Sequence, residues 1–147
     1  MNIPINQLLM QKGSDVVTIS PNASVYDAIK LMDERNIGAL IALNANGKIA
    51  GIFVERDYFR KVVLAEKSPK EVPVKSAMTK KVICVSPEIT VDECMAQMTS
   101  HCIRHVPVVD NDGQLLGIIS MGDLVKFSAL EKDAMIRNLV KYIDGSL

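Results

Sequence analysis

The chain lacks tryptophan, has few aromatic residues and carries no excess charge of either sign. Aromatic residues make up 4% of its 147 residues, and the 17 Lys and Arg residues balance the 17 Asp and Glu residues. Such a composition offers neither stacking platforms for bases nor a global field that attracts nucleic acid or a membrane surface. Hydrophobic residues still reach 48%, which predicts an ordered protein with an aliphatic core.

Cysteine is scarce, and a long hydrophobic run is missing. Three cysteines are an odd number, and the first residues show neither a basic region nor the apolar stretch of a secretory signal. No stretch approaches the length of a membrane span. We therefore expect a cytoplasmic protein with reduced thiols. Cys94, His101, Cys102 and His105 lack the paired spacing of a zinc site, so no metal is expected.

What the sequence does contain is an internal repeat. Its matching residues are separated by 66 positions, as residue numbers 20 and 86 or 57 and 123 show. A self-match at one fixed period predicts two copies of a single structural unit with a cleft between them. The matching pairs are Ser20-Pro21 and Ser86-Pro87, Gly47 and Gly113, Gly51-Ile52 and Gly117-Ile118, and Asp57 and Asp123.

Each copy has the pattern of a strand, a helix, two strands and a second helix. The short strands Val16–Ile19 and Val82–Val85 each end before a Ser-Pro pair, and the helices that follow begin at the capping residues Ser24 and Thr90. Loops rich in Asn and Asp that close on a glycine then predict two β-hairpins. The hairpin strands are expected at 39–43 and 48–53 in the first copy, and at 106–109 and 114–119 in the second.

The repeat also sets the expected organisation of the chain, which is of the α/β class. A short N-terminal helix is predicted around Ile5, and a long helix from Leu124 to Ile143 that stops before Gly145. The expected divisions are an N-terminal segment 1–15, a first unit 16–63, a linker 64–81, a second unit 82–127 and a helical tail 128–147.

These tandem β-α-β-β-α units, each ending in Gly-apolar-x-x-x-x-Asp, resemble a pair of cystathionine-β-synthase (CBS) domains, also called a Bateman module. The best-matched segments are 104–110 and 117–124. The resemblance implies two units packed about a pseudo-twofold axis, with clefts that bind adenosine-containing ligands. It also implies a homodimer of such pairs, built on the helices of the units.

The family's ligand signature is Gly-h-x-(Ser/Thr)-x-x-Asp, where h is hydrophobic. The carboxylate can accept hydrogen bonds from ribose hydroxyls, while the Ser/Thr hydroxyl faces a phosphate. The second copy keeps the signature with Ser120 and Asp123, but the first has Val54 in the hydroxyl position before Asp57. Arg56 is the candidate to replace that phosphate contact. The alternative for both aspartates is a purely structural helix N-cap.

The two clefts are expected to be chemically unequal. Gly38 and Ala39 of the first copy correspond to Arg104 and His105 of the second, so the residues that would touch a ligand differ although the scaffold recurs. The resemblance places the nucleotide-binding residues at Thr18, Gly38, Ala39, Leu40, Glu55, Arg56, Asp57, Cys84, Ile103, Arg104, His105, Val106, Pro107, Ser120, Met121, Gly122 and Asp123.

The resulting hypothesis is a non-enzymatic sensor of NAD or AMP, with ATP, ADP and S-adenosylmethionine as further candidates and no catalytic cofactor. The sequence has no P-loop, nucleophile elbow or dinucleotide-binding glycine motif, which argues against an enzyme. Expected partners are the nucleotide, a second copy of the chain and a regulated protein of unknown identity, but no nucleic acid or membrane. The alternative is a structural or oligomerisation module whose nucleotide sites are vestigial.

Overall fold

The structure is a computed structural model that describes residues 2–13 and 15–144. In each repeat a helix, two hairpin strands and a second helix follow one another in the predicted order. The elements are α1 (Ile5–Lys12), β1 (Thr18–Ile19), α2 (Val25–Arg35), β2 (Ala39–Leu43), β3 (Ile49–Val54), α3 (Glu55–Tyr58, which continues as a π-helical segment Phe59–Val63), α4 (Val74–Ala77), α5 (Val91–Ser100), β4 (His105–Val109), β5 (Leu115–Ser120) and α6 (Met121–Ile143).

The strands form one small sheet in each repeat. In the first repeat β1 runs parallel to β2, and β2 pairs with β3 in antiparallel orientation; in the second, β4 and β5 form an antiparallel pair. The predicted strand Val82–Val85 is wrong in extent, because only Val85 pairs, in a parallel bridge to Val108. The predicted Val16–Ile19 strand is likewise shortened to Thr18–Ile19.

The local signals in the sequence form the expected contacts. The Ser24 hydroxyl accepts the Asp27 N–H at 3.0 Å, and the Thr90 hydroxyl accepts the Glu93 N–H at 3.1 Å, so both helices begin at their predicted caps. At the hairpin tips Gly47 and Gly113 have φ values of 75° and 77°, in the left-handed region that glycine tolerates. Both predicted hairpins are therefore confirmed.

The segment before each repeat packs on the other repeat. The Ile5 N–H donates to the Ile89 carbonyl, and the Val74 N–H donates to the Ala23 carbonyl, both at 2.8 Å. As a result α1 completes the core of the second repeat, where Ile5, Leu8 and Leu9 are buried. In the same way α4, which lies in the expected linker, completes the core of the first repeat. The pseudo-twofold arrangement is thus reinforced by a crossed exchange of helices.

A third apolar cluster joins the two repeats. Ile41 and Ile52 from the first sheet are buried, and Leu115 and Ile118 of the second sheet pack against them. Beyond this joint, α6 runs without interruption for 23 residues. Leu124 and Phe127 fix its first turns in the second core, and the predicted stop at Gly145 lies outside the described residues.

Candidate functional site

A cleft of about 510 Å³ lies between the two repeats. One wall comes from the end of β3 and the start of α3, and the opposite wall comes from residues 101–105 before and at the start of β4. Residues 79–83, which follow α4, close a third side. The lining residues are Gly38, Ile52, Val54, Glu55, Arg56, Asp57, Phe59, Arg60, Thr79, Lys81, Val82, Ile83, His101, Cys102, Ile103, Arg104 and His105.

Cations outnumber carboxylates in this cleft. Arg56, Arg60, Lys81 and Arg104 line it, against the acidic Glu55 and Asp57. Isoleucine and valine side chains, among them Ile83 and Ile103, supply its apolar surface. A concave site with fixed cations beside an apolar wall can hold an anionic ligand that also has a flat hydrophobic part.

Asp57 is held inside the protein by three contacts. Its side chain accepts the Val54 N–H at 3.0 Å and the Thr79 hydroxyl at 3.0 Å, and it lies 3.4 Å from the Lys61 ammonium. Only 6% of the residue is exposed. Asp57 therefore stabilises the start of α3 from position N3, and the alternative that it is itself the N-cap is wrong, because Val54 occupies that position. The Thr79 hydroxyl also donates to this carboxylate, on the side of the cleft where Val54 has no hydroxyl.

Asp123, the equivalent residue of the second repeat, has a complete capping box and an additional cation. It accepts the Ser120 N–H at 2.8 Å, while its own N–H donates to the Ser120 hydroxyl at 3.0 Å. The Lys12 ammonium, at the end of α1, donates to the Asp123 carboxylate at 2.5 Å and to the Ile118 carbonyl at 2.7 Å. Burial would raise the pKa of Asp123, but the bonds from Lys12 and Ser120 outweigh it and lower that pKa.

His105 lies between these two regions and fills the space that Gly38 leaves. A Cβ atom at Gly38 would approach the His105 ring to 3.4 Å. Burial lowers the pKa of His105, and the positive charge of Lys12 lowers it further, although Asp123 and Glu55 oppose this shift. The lowered pKa favours the neutral imidazole, and Gly38 of the first repeat lies beside its Cε1–Nε2 edge.

A comparison with protein families identifies this architecture. The family model described as the CBS domain matches residues 5–64 and 74–130. The chain belongs to the CBS domain family. The matched ranges include α1 and α4, the helices that the two CBS units exchange.

Two relatives share this organisation over most of their length. The chain is 39% identical, over 149 residues, to the CBS domain-containing protein CBSX3 of Arabidopsis thaliana, which is named as mitochondrial; the match covers 96% of this chain and 72% of the relative. It is also similar to a solved protein with CBS domains from Burkholderia ambifaria MC40-6, with 50% identity, a TM-score of 0.80, and coverage of 85% and 93% of the two chains. The predicted family and fold are confirmed.

A third comparison concerns ligands. The CBS domain pair of protein MJ0100 has been solved with 5-methylthioadenosine and S-adenosyl-L-methionine. It shares the fold, with a TM-score of 0.78, 24% identity, and coverage of 89% of this chain and 99% of that one. CBS pairs thus include binders of adenosyl compounds.

Among the described residues we find no helix with the length and apolar character needed to cross a bilayer.

The structure brings seven of the predicted binding residues together at the cleft between the CBS units. The other predicted residues lie elsewhere: Leu40 and Val106 have no exposed surface and pack in the two cores, whereas Thr18 is exposed on β1. Ser120, Met121, Gly122 and Asp123 begin α6 near Lys12. The seven that line the cleft are Gly38, Glu55, Arg56, Asp57, Ile103, Arg104 and His105; Ala39, Cys84 and Pro107 are outside its lining.

Two cleft residues were missed because they belong to the segment that was expected to be a linker, and others, among them Arg60 and Ile83, lie within the two units but outside the repeated motif. Thr79 and Lys81 follow α4 and reach the cleft because that helix docks on the first CBS unit. A signal for this docking exists in the sequence. Ile3-Pro4-Ile5 returns as Val72-Pro73-Val74 at a separation of 69, as residue numbers 4 and 73 show, which is three positions out of phase with the main repeat.

The neutral state of His105 leads to a prediction about acid stability. Because its pKa is lower in the folded chain than in the unfolded chain, the unfolded state binds the proton first as the pH falls. The stabilisation is complete above about pH 6.5, the ordinary histidine value, and is lost on acidification below it. We expect the melting temperature to fall more between about pH 7.5 and 5.5 in the parent chain than in His105→Gln. An equal fall in both proteins would contradict this assignment.

Proposed function

We propose that the chain is a non-enzymatic regulatory module that binds an adenine nucleotide in the cleft between its two CBS units. The observation that carries this proposal is the concentration of four cations, Arg56, Arg60, Lys81 and Arg104, along one cleft of a chain with no net charge. A volume of about 510 Å³ is within the range of small-molecule sites. The adenosyl ligands of the MJ0100 CBS pair support the class of compound.

The charge of the cleft favours phosphate-bearing ligands such as AMP or NAD. S-adenosylmethionine carries a positive sulfonium, which the surrounding guanidinium groups would repel, whereas a phosphate would pair with them. The ribose would contact Asp57 in exchange for one of the bonds that this carboxylate now makes inside the protein. Ile83 and Ile103 would pack against the base.

We further propose that the cleft beside Asp57 binds the nucleotide and that the equivalent position beside Asp123 does not. At the second position the Lys12 ammonium already pairs with Asp123 and with the Ile118 carbonyl. At the first position the corresponding cation, Lys81, lines the open cleft. We therefore expect each chain to bind one nucleotide. Its binding to both CBS units would shift their relative packing, which a partner protein could detect.

Calorimetry on nucleotide-free protein tests the proposal directly. We expect AMP or NAD to bind with one molecule per chain and at least about 10-fold more tightly than S-adenosylmethionine, a difference of about 1.4 kcal/mol. Arg56→Gln with Arg104→Gln should weaken that binding by about 10-fold or more, since two charge-assisted contacts are lost. Arg137→Gln, which removes a guanidinium on α6 outside the cleft, is the matched control.

Two outcomes would contradict the proposal. If AMP, ATP, NAD and S-adenosylmethionine all fail to bind at high micromolar concentration, the module is structural and its sites are vestigial. If Asp57→Ala combined with Asp123→Ala leaves the nucleotide-dependent rise in melting temperature unchanged, the ribose contact proposed for Asp57 is wrong and the two aspartates serve only to cap their helices. Homodimer formation and a cytoplasmic location stay predictions.

A further inference from the structure

The lining of the nucleotide cleft contains two groups whose charge depends on pH. Arginine and lysine keep their charge at neutral pH, whereas an imidazole gains or loses its charge close to it. The cleft therefore combines four permanent cations with two conditional ones. These six residues are Arg56, Arg60, Lys81, Arg104, His101 and His105.

The two histidines have different surroundings. His101 is exposed, and its ring Nδ1 lies 2.9 Å from the Gln97 carbonyl oxygen of its own helix. His105 is half-buried against the first CBS unit. Its Cε1 and Nε2 atoms lie 3.4 and 3.6 Å from the position that a Cβ atom of Gly38 would take, and Glu55 Oε1 lies 3.6 Å from the same position. Because charges interact more strongly away from water, a ligand's charge acts most strongly on His105.

The charged groups around His105 oppose one another in the chain without a ligand. Burial is the main cause that lowers the pKa of His105. Lys12 on α1 and Arg104 before β4 lower this pKa further, whereas Asp123 on α6 and Glu55 on α3 raise it. The phosphate of a bound nucleotide would add negative charge and would also pair with Arg104. Both effects favour the imidazolium form of His105.

We propose that nucleotide binding is coupled to the uptake of a proton from the solvent by His105. This inference rests on the proposed function. Once protonated, His105 adds a conditional cation to the four permanent ones, so the affinity for a phosphate-bearing ligand rises as the pH falls. The coupling is reciprocal, since the bound nucleotide stabilises the protonated ring to the same degree. The module then responds to nucleotide concentration and to pH together.

Calorimetry in buffers of different ionisation enthalpy measures this coupling. AMP and NAD are each titrated into nucleotide-free, full-length chain. The binding enthalpy should depend on the buffer in the parent chain, because the proton that His105 takes up leaves the buffer, and it should depend less on the buffer in His105→Gln. The difference between the two proteins removes the proton that the AMP phosphate itself binds.

The pH dependence of affinity gives a second measure from the same titrations. Between about pH 8 and pH 6, the affinity of the parent chain should rise at least about 3-fold more than that of His105→Gln. His101→Gln, which changes the other histidine of the cleft, is the matched control and should behave like the parent chain.

NMR tests the coupling without a substitution at His105. The chain has two histidines, so His101→Gln assigns their ring signals. The titration of the His105 ring should move to higher pH when AMP or NAD, whichever binds more tightly, is saturating. Equal buffer dependence in the parent chain and His105→Gln, or a His105 titration that the nucleotide does not move, would overturn the coupling and leave the proposed function intact. Failure of both nucleotides to bind at every pH would overturn the proposed function and this inference with it.

Discussion

Replacing Gly51 by alanine is expected to destabilise the chain by about 2–4 kcal/mol, in the range of overpacked core sites. A Cβ atom there would lie 2.6 Å from the Met78 sulfur and 2.9 Å from the Thr79 carbonyl oxygen. That carbonyl cannot retreat easily, because Ile52 and Thr79 exchange two backbone hydrogen bonds of 2.9 and 2.8 Å. The family's signature glycine is therefore required by the close approach of the segment after α4.

The second CBS unit supplies a matched control. A Cβ atom at Gly117 would lie 2.7 Å from Leu9 Cδ2, the tip of a flexible side chain, and its other close neighbours are 3.6 Å or more away. A rotation of Leu9 can relieve this contact, so Gly117→Ala should cost only about 1 kcal/mol. Urea unfolding of both variants measures the difference. Equal costs would show that the Thr79 backbone is not what makes Gly51 necessary.

Gly51→Ala should also weaken ligand binding. A displacement of residues 78 and 79 would move the Thr79 hydroxyl away from Asp57, to which it now donates at 3.0 Å. Gly117→Ala leaves these contacts in place. A loss of affinity confined to Gly51→Ala would connect the packing of the exchanged segment to the nucleotide cleft.

The elements that could be predicted from the sequence are those whose signals are local. Caps, turn glycines and short alternations of apolar residues act within a few positions of the chain, and the hairpins and α2, α5 and α6 form close to where they are expected. The first strand of the second unit is reduced to the Val85 bridge. A strand depends on a partner that is distant in sequence, so its extent is less strongly encoded locally.

The candidate site was predictable where it coincides with the repeated motif and not where it depends on long-range docking. Asp57, Arg56 and Arg104 follow from the signature and its counterpart. Thr79 and Lys81 reach the cleft only because α4 packs on the preceding unit, and the exchanged segments repeat at a separation that differs from the main one. The Lys12 contact with Asp123 arises in the same way from α1.

This exchange of helices leads to the second large effect. Ile5→Ala should destabilise the chain by about 2–5 kcal/mol, the usual cost of removing a large aliphatic side chain from a core. Ile5 has no exposed surface and packs with Val91, Met98 and Leu124 of the second CBS unit, although it precedes the first unit in the chain. Hydrogen exchange should therefore accelerate in β4 and β5 more than in β2 and β3.

Val74→Ala tests the helix that is exchanged in the opposite direction. Val74→Ala lies just before the second unit, but Val74 is buried with Phe53 and Val62 of the first, so β2 and β3 should exchange faster instead. Met10→Ala, at a position on α1 that is 78% exposed, should change the free energy of unfolding by no more than about 0.5 kcal/mol and leave the exchange rates of both units unaltered. If each variant loosened only the unit that follows it in sequence, the crossed packing would be wrong. The crossed result would show that each CBS unit depends for its stability on a helix that precedes the other, which makes the pair a single folding unit.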